Sequence, residues 1–188
     1  GTFAAHRHGL LEIAAETLTR LARDTGDAAF LSVRRGWSSL CLHREEGSYP
    51  IRTFALMTGR LHPLGVGAGS LAMLAALPDA EVDAALAANA PELATDFPDL
   101  SPDLIRGHVA TTRAAGHALN PGLIYPDSWG LGIALRRPDG TLAGALSIAA
   151  IESRMAEPRR SDLVAKLRAA AQAVETPLAQ LYAARTRI

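Results

Sequence analysis

At 188 residues the chain is long enough for one domain with a sizeable core, and its 48% apolar and 20% charged residues match an ordinary globular protein. Nineteen basic side chains balance nineteen acidic ones, which argues against a chain that grips nucleic acid by itself. The one cysteine, Cys41, excludes an intramolecular disulfide and agrees with a reducing cytoplasm, and no apolar run of about 18 residues is present to span a membrane.

No basic-then-apolar leader precedes the first helix, and the missing initiator Met suggests part of a longer chain. Residues 8–26, HGLLEIAAETLTRLARDTG, predict that helix: Leu11, Ala14, Leu18, Leu21 and Ala22 recur at helical spacing and Gly26 offers the stop. Three β-like runs follow. AAFLSVRRG and WSSLCLHREEG are separated by a turn at Arg35-Gly36, and PIRTFALM (50–57) supplies the third. Cys41, inside the second run, reads as an inert, half-buried strand residue. Gly67 to Ala76 form a helix stopped by Pro78, Asp79 caps another over AEVDAALAANA, and PELATDFPDL (91–100) is a loop. SPDLIRGHVATTRAAG is a third helix, with Ser101 as N-cap, Pro102 at the first position and Gly116 as terminator.

HALNPGLIY gives a short strand broken at Pro121-Gly122. The clearest hairpin is WGLGIALRRPDGTLAGALSIAAI, turning at Pro138-Asp139-Gly140. RMAEPRR (154–160) reads as a solvated loop. Ser161 then caps a long helix with Leu163, Leu167, Ala170, Val174, Leu178 and Leu181 on one face, kinked or split at Pro177. The order α-β-β-β-α-α-α-β-β-β-α clusters strands as hairpins. It predicts an α/β protein of the α+β kind: one domain over residues 1–188, with a mostly antiparallel sheet of about six strands flanked by helices.

PLGVGAGSLAML (63–74) contains Gly67, Gly69 and Ala72 in the G-x-G-x-x-A spacing of a dinucleotide-binding turn. That fingerprint requires a second parallel strand and an acidic residue about 20 positions on. Here another helix follows, and no Lys is present to make a P-loop. The glycines keep two meanings, which spacing leaves open. They admit a ligand to the first free N–H groups of a helix, suited to a carboxylate or phosphate, or they allow backbone to pack on backbone with no ligand.

Catalytic motifs H-E-x-x-H, G-x-S-x-G and C-x-x-C are lacking, and the six histidines show no i, i+4 pair, so neither a metal nor another cofactor is expected. His108 and His117 bracket a helix end and read as surface residues. Asp127, Ser128 and Trp129 form either a capped turn with an anchoring indole or one wall of a pocket.

Four segments, GDAAFLSVRRGWSSLCLHREEG, RLHPLGVGAGSLAMLAALP, IRGHVATTRAAGHALNPGLIYPDSWGLGIAL and GTLAGALSIAAI, occur in the order of the effector-binding domain of IclR-type transcriptional regulators. The chain resembles that domain over nearly its whole length, from about Leu10 to Tyr182. The resemblance implies a GAF-like fold that binds a small effector and forms homodimers or tetramers. It also implies that DNA is bound only through an N-terminal winged helix-turn-helix absent from this chain, with no membrane partner and a cytoplasmic location.

It further implies site residues. The family's loop before the helix holds an effector carboxylate on backbone amides, which carry over to Ala68 and Gly69 with Gly67 beside them; Gly65 and Ser70-Leu71 depart from the family pattern. Asn120 stands where an acidic residue is common, Ser128 and Gly130 are wall positions beside Trp129, Ser147 lies on the last strand, and Phe54 and His62 match apolar lining positions. Ala149 replaces a second hydroxyl. Losing an acid and a hydroxyl makes the pocket less polar than one tailored to a two- or three-carbon acid. The expected ligand is an organic acid, aromatic acids included. Two other classes stay open: a ligand-free dimerisation module, and a small hydrolase or isomerase using Asp127 or His62. A cavity of a few hundred cubic ångströms at these positions favours the sensor over the dimerisation module.

Overall fold

The structure is a computed structural model that describes residues 1–53 and 58–187. Helix α1 (Thr2–Thr25) ends as its glycine demands: Gly26 turns left-handed at φ 77° and its N–H closes on the Ala22 carbonyl. Strands β1 (Ala28–Arg35) and β2 (Ser38–Glu45) form a hairpin around Gly36-Trp37, one residue later than the sequence places the turn. The third strand is not PIRTFALM. Residues 50–53 are outside any strand, 54–57 lie outside the described residues, and β3 is the three-residue stretch Leu61–Pro63, paired to β2 with His62 opposite Ser39.

Helix α2 (Ala68–Ala75) is buried along its whole length. Helix α3 (Asp79–Asp96) runs through Pro91 and absorbs most of the segment expected as a loop. The reason is burial: Val82, Leu86, Asn89 and Leu93 line one face at helical spacing, so packing the last turn outweighs the hydrogen bond that Pro91 cannot donate. Asp79 opens the helix without a side-chain capping bond. Helix α4 (Pro102–Ala115) matches its sequence signals, with the Ser101 hydroxyl accepting from the Leu104 N–H and Gly116 left-handed at φ 79°.

Strands β4 (Ala118–Pro121), β5 (Ser128–Arg136) and β6 (Leu142–Ile151) complete one six-stranded sheet in the order β3-β2-β1-β6-β5-β4, every pair antiparallel. Helix α5 (Arg159–Thr186) starts two residues before Ser161 and continues through Pro177 without splitting.

The β5 sequence GLGIAL explains the two-faced sheet. Leu131 and Leu135 alternate with Gly130 and Gly132. The large residues, with Leu31, Leu146 and Ile148, form a core with Leu10, Leu18, Leu167 and Val174 of α1 and α5. The apolar side of α5 is thereby largely spent inside the domain. The other face carries small residues: Gly132 pairs with Ser147, Gly130 with Ala149, and Asn120 with Gly130. Against these, α2 seats so closely that a Cβ on Gly132 would lie 2.3 Å from the Ala68 carbonyl oxygen. Arg113 of α4 holds the far end of α2, donating to the carbonyls of Ala75 and Leu77 at 2.9 and 2.7 Å and to Asp79 at 2.6 Å.

RMAEPRR is not a solvated loop. Asp27, 2% exposed at the start of β1, accepts from Arg154 at 2.8 Å and Arg159 at 2.6 Å, and Arg154 also stacks over the Tyr49 ring at 3.7 Å. These arginines neutralise a buried carboxylate and tie the loop before α5 to the end of α1 through the Thr25 carbonyl.

Candidate functional site

Gly67 adopts φ 98°, a backbone that only glycine takes without strain, and this turns the chain from β3 into α2. Inside the turn the Gly65 N–H donates to the Ser70 hydroxyl at 3.1 Å and that hydroxyl donates to the Pro63 carbonyl at 3.0 Å. Ser70, a departure from the family pattern, therefore braces the loop. The first intrahelical bond runs from the Leu71 N–H to the Gly67 carbonyl, which leaves the N–H groups of Ala68 and Gly69 as donors of the helix start without a backbone partner among the described residues.

A pocket opens there. His62, Gly67, Ala68, Gly69, Asn120, Ser128, Trp129, Gly130 and Ser147 all line it, so nine of the ten residues singled out from sequence converge. Phe54, the tenth, lies outside the described residues. The register explains the convergence: Ser147 and Ala149 of β6 sit beside Gly132 and Gly130 of β5, and Gly130 beside Asn120 of β4, all on the face that α2 covers.

Two sequence expectations change. The cavity measures about 60 Å³, far below the few hundred that would favour a sensor over a dimerisation module, because α2 rides directly on the glycines of β5. Trp129 borders the pocket, but its indole packs with the core on the other face, under the Arg160 guanidinium at 5.6 Å, so it offers no ring for a ligand to stack on.

Sequence reasoning missed Arg60, Phe30, Ile124, Tyr125 and Ile148, which also line the pocket, as does Ala149. Arg60 matters most. It is exposed, it has no ion-pair partner among the described residues, and it is the one charged side chain of the lining. Its position two residues before His62, at the entry to β3, was the available signal, since alternate residues of an extended chain share a side.

The polar groups are donors. Asn120 uses its side-chain oxygen to accept from the Leu123 N–H at 2.9 Å, and its amide nitrogen bonds nothing among the described residues. His62 is 8% exposed, with its Nδ1 buried and unpaired and its ring 6.0 Å from that of Phe97. Burial and then the Arg60 charge hold its pKa below the usual histidine value, against a hydrogen bond to the Val66 backbone.

Groups outside the pocket stay quiet. Cys41 is fully buried, and desolvation pushes its thiol up to about 11, against the His43 carbonyl at 3.6 Å and the Arg44 charge. Asp127 is exposed and is not among the residues that line the pocket. His108 and His117 are half-buried, not surface residues, and burial lowers both pKa values. No cluster of three metal-ligating side chains occurs among the described residues.

A six-stranded antiparallel sheet with two helices on one face and three on the other, and a donor-lined pocket at the start of α2, defines an α+β domain, and the comparisons with known proteins give its class. The chain belongs to the IclR family of transcriptional regulators, as its C-terminal regulatory domain: residues 2–176 match the family described as bacterial transcriptional regulator IclR C-terminal. The HTH-type transcriptional regulator KipR of Bacillus subtilis (strain 168) is 23% identical over 171 residues, spanning 91% of this chain and 68% of that protein. The crystal structure of Thermotoga maritima IclR shares the fold with a TM-score of 0.83 at 18% identity, over 95% of this chain and 72% of that one. An IclR homologue of Microbacterium hydrocarbonoxydans complexed with 4-hydroxybenzoate gives a TM-score of 0.77 at 23% identity, over 92% of this chain and 69% of that one. No helix among the described residues is long and apolar enough to cross a membrane.

Proposed function

We propose that this domain senses a small organic carboxylate in the pocket at the start of α2 and passes its occupancy to a separate DNA-binding domain of the same regulator. The observation that carries this reading is the charge of the lining: one arginine, two helix N–H groups, an amide nitrogen and two serine hydroxyls beside the Tyr125 phenol, with no carboxylate among the lining residues. Residues 1–188 act as one effector-binding unit without catalysis, since the pocket offers donors but no nucleophile paired with a base. By the family resemblance Phe54 is a further lining residue, and it lies outside the described residues. The 4-hydroxybenzoate of the Microbacterium homologue supports the ligand class. At about 60 Å³ the cavity suits an acid of a few heavy atoms, and an aromatic acid enters only if Ile124 and Tyr125 move outward. By the family resemblance the domain works as a homodimer or tetramer in the cytoplasm, which light scattering on the purified chain measures. The narrowness of the cavity favours a second reading, in which the glycines serve packing alone.

A thermal-shift series over short aliphatic and aromatic carboxylates separates the two. An acid present at 100 times its Kd stabilises the fold by about 2.7 kcal/mol, or roughly 5 to 11 °C for a domain of this size. Arg60→Glu, at an exposed position, leaves the unliganded melt unchanged and removes the shift. If no acid shifts the melt, or if the shift survives Arg60→Glu, the sensor reading fails and the packing reading stands.

A further inference from the structure

A second cavity lies between the first turns of α1 and the last turns of α5, over the end of the β5–β6 hairpin, and at about 370 Å³ it is several times the size of the pocket beside α2. Its size falls in the range of small-molecule sites. The floor is apolar, built from Leu10, Val33, Leu142, Leu178 and Leu181. The walls include four arginines, Arg7, Arg34, Arg137 and Arg185, with no carboxylate in the lining.

In a chain of zero net charge such a grouping departs from an evenly mixed surface. Two acids outside the lining offset part of it, and Asp139 acts electrostatically on Arg137 across the hairpin turn. Asp139 accepts from the Thr141 N–H and hydroxyl at 2.9 and 2.6 Å and from Tyr182 at 3.1 Å. Glu81 pairs with Arg34 at 3.1 Å from outside the lining. Arg185, on the last turn of α5, has no ion-pair partner among the described residues and is exposed. An apolar floor beneath Arg137 and Arg185, with no carboxylate in the lining itself, complements one shape of molecule, an anionic head on an apolar body.

We propose that this cavity is a second ligand site, distinct from the pocket at α2, and that it takes an amphipathic carboxylate of medium chain length, the head held by Arg185 and Arg137 and the tail lying on Leu178 and Leu181. The site joins the two helices that cover one face of the sheet, so occupancy draws the start of α1 and the end of α5 together.

The test uses the 188-residue chain with octanoate as probe and octan-1-ol as its uncharged counterpart, followed by calorimetry and by methyl NMR. Octanoate is expected to bind saturably at millimolar concentration and to shift the methyl signals of Leu178 and Leu181 while those of Ile124 and Ile148 beside α2 stay in place. Arg185→Glu, at a solvent-facing position, weakens octanoate by about tenfold or more, the loss of one charge-assisted contact. Leu181→Trp, which fills the floor, abolishes binding, and octan-1-ol binds at least about tenfold more weakly than octanoate. No saturable binding, shifts confined to Ile124 and Ile148, or an Arg185→Glu variant that titrates like the parent each overturn the proposal. The proposal stands or falls apart from the sensor reading, whose probe variant is Arg60→Glu.

Discussion

Replacing Gly132 by alanine tests the seating of α2 that creates the pocket. The new Cβ would fall 2.3 Å from the Ala68 carbonyl oxygen, 2.5 Å from its carbon and 2.8 Å from the Gly69 nitrogen, whereas ordinary contact begins at 3.4 Å. All three obstacles are backbone, so no side chain can rotate aside, and α2 must lift from β5 by about 1 Å or the strand must buckle. Overpacking of this kind costs about 1 to 3 kcal/mol, and a backbone obstacle belongs at the upper end. For a domain of this length about 3 kcal/mol lowers the melting temperature by roughly 6 to 12 °C. The matched control is Gly107→Ala on α4, where the added Cβ meets nothing within 4 Å. There alanine gains helix propensity worth about 1 kcal/mol and raises the melt by roughly 2 to 4 °C. Differential scanning calorimetry reads both variants. A Gly132→Ala protein melting within about 2 °C of the parent would refute the close approach of α2 to β5, and with it the placement of the Ala68 and Gly69 donors.

Asp27→Ala strands Arg154 and Arg159 beside a buried hole, and because both guanidinium groups keep partial solvent access the cost sits at the low end of a broken buried pair, about 3 kcal/mol, measured as a fall in urea midpoint at unchanged slope. His62 imposes a pH dependence of definite sign. Its folded pKa lies below 6.5, so the stability tied to the neutral ring is complete above pH 6.5 and is lost as pH falls through the folded value. His62→Gln should therefore flatten the fall in urea midpoint between about pH 7 and pH 5, and an identical pH profile in the two proteins would contradict the assignment.

Local signals placed most of the elements. Gly26 and Gly116 end helices because each takes a left-handed φ, Ser101 caps α4 with its hydroxyl, and Pro138-Asp139-Gly140 turns the last hairpin. Each is decided by atoms within a few residues, which is why they are legible from the chain alone. The candidate site was legible in part: nine lining residues fall on strand and loop positions that the register unites on one face, whereas Arg60 was missed.

What sequence could not settle depends on atoms distant along the chain. Helix α3 passes Pro91 because Leu93 finds a core, and α5 passes Pro177 as one helix, although both prolines read locally as breaks. Arg154 and Arg159 look solvated until Asp27, more than 120 positions earlier, is found buried between them. Trp129 and Gly130 are neighbours in sequence, yet the sheet sends the indole to one core and leaves the glycine under α2 on the other face. The volume of the pocket is set last of all, by how closely a helix start approaches Gly130 and Gly132, a distance that no residue pattern encodes. Sequence thus determined which residues meet, because capping, turn chemistry and alternation are local; the tertiary structure alone decided how near they come and which side chains face the ligand, because packing joins residues that the chain holds far apart.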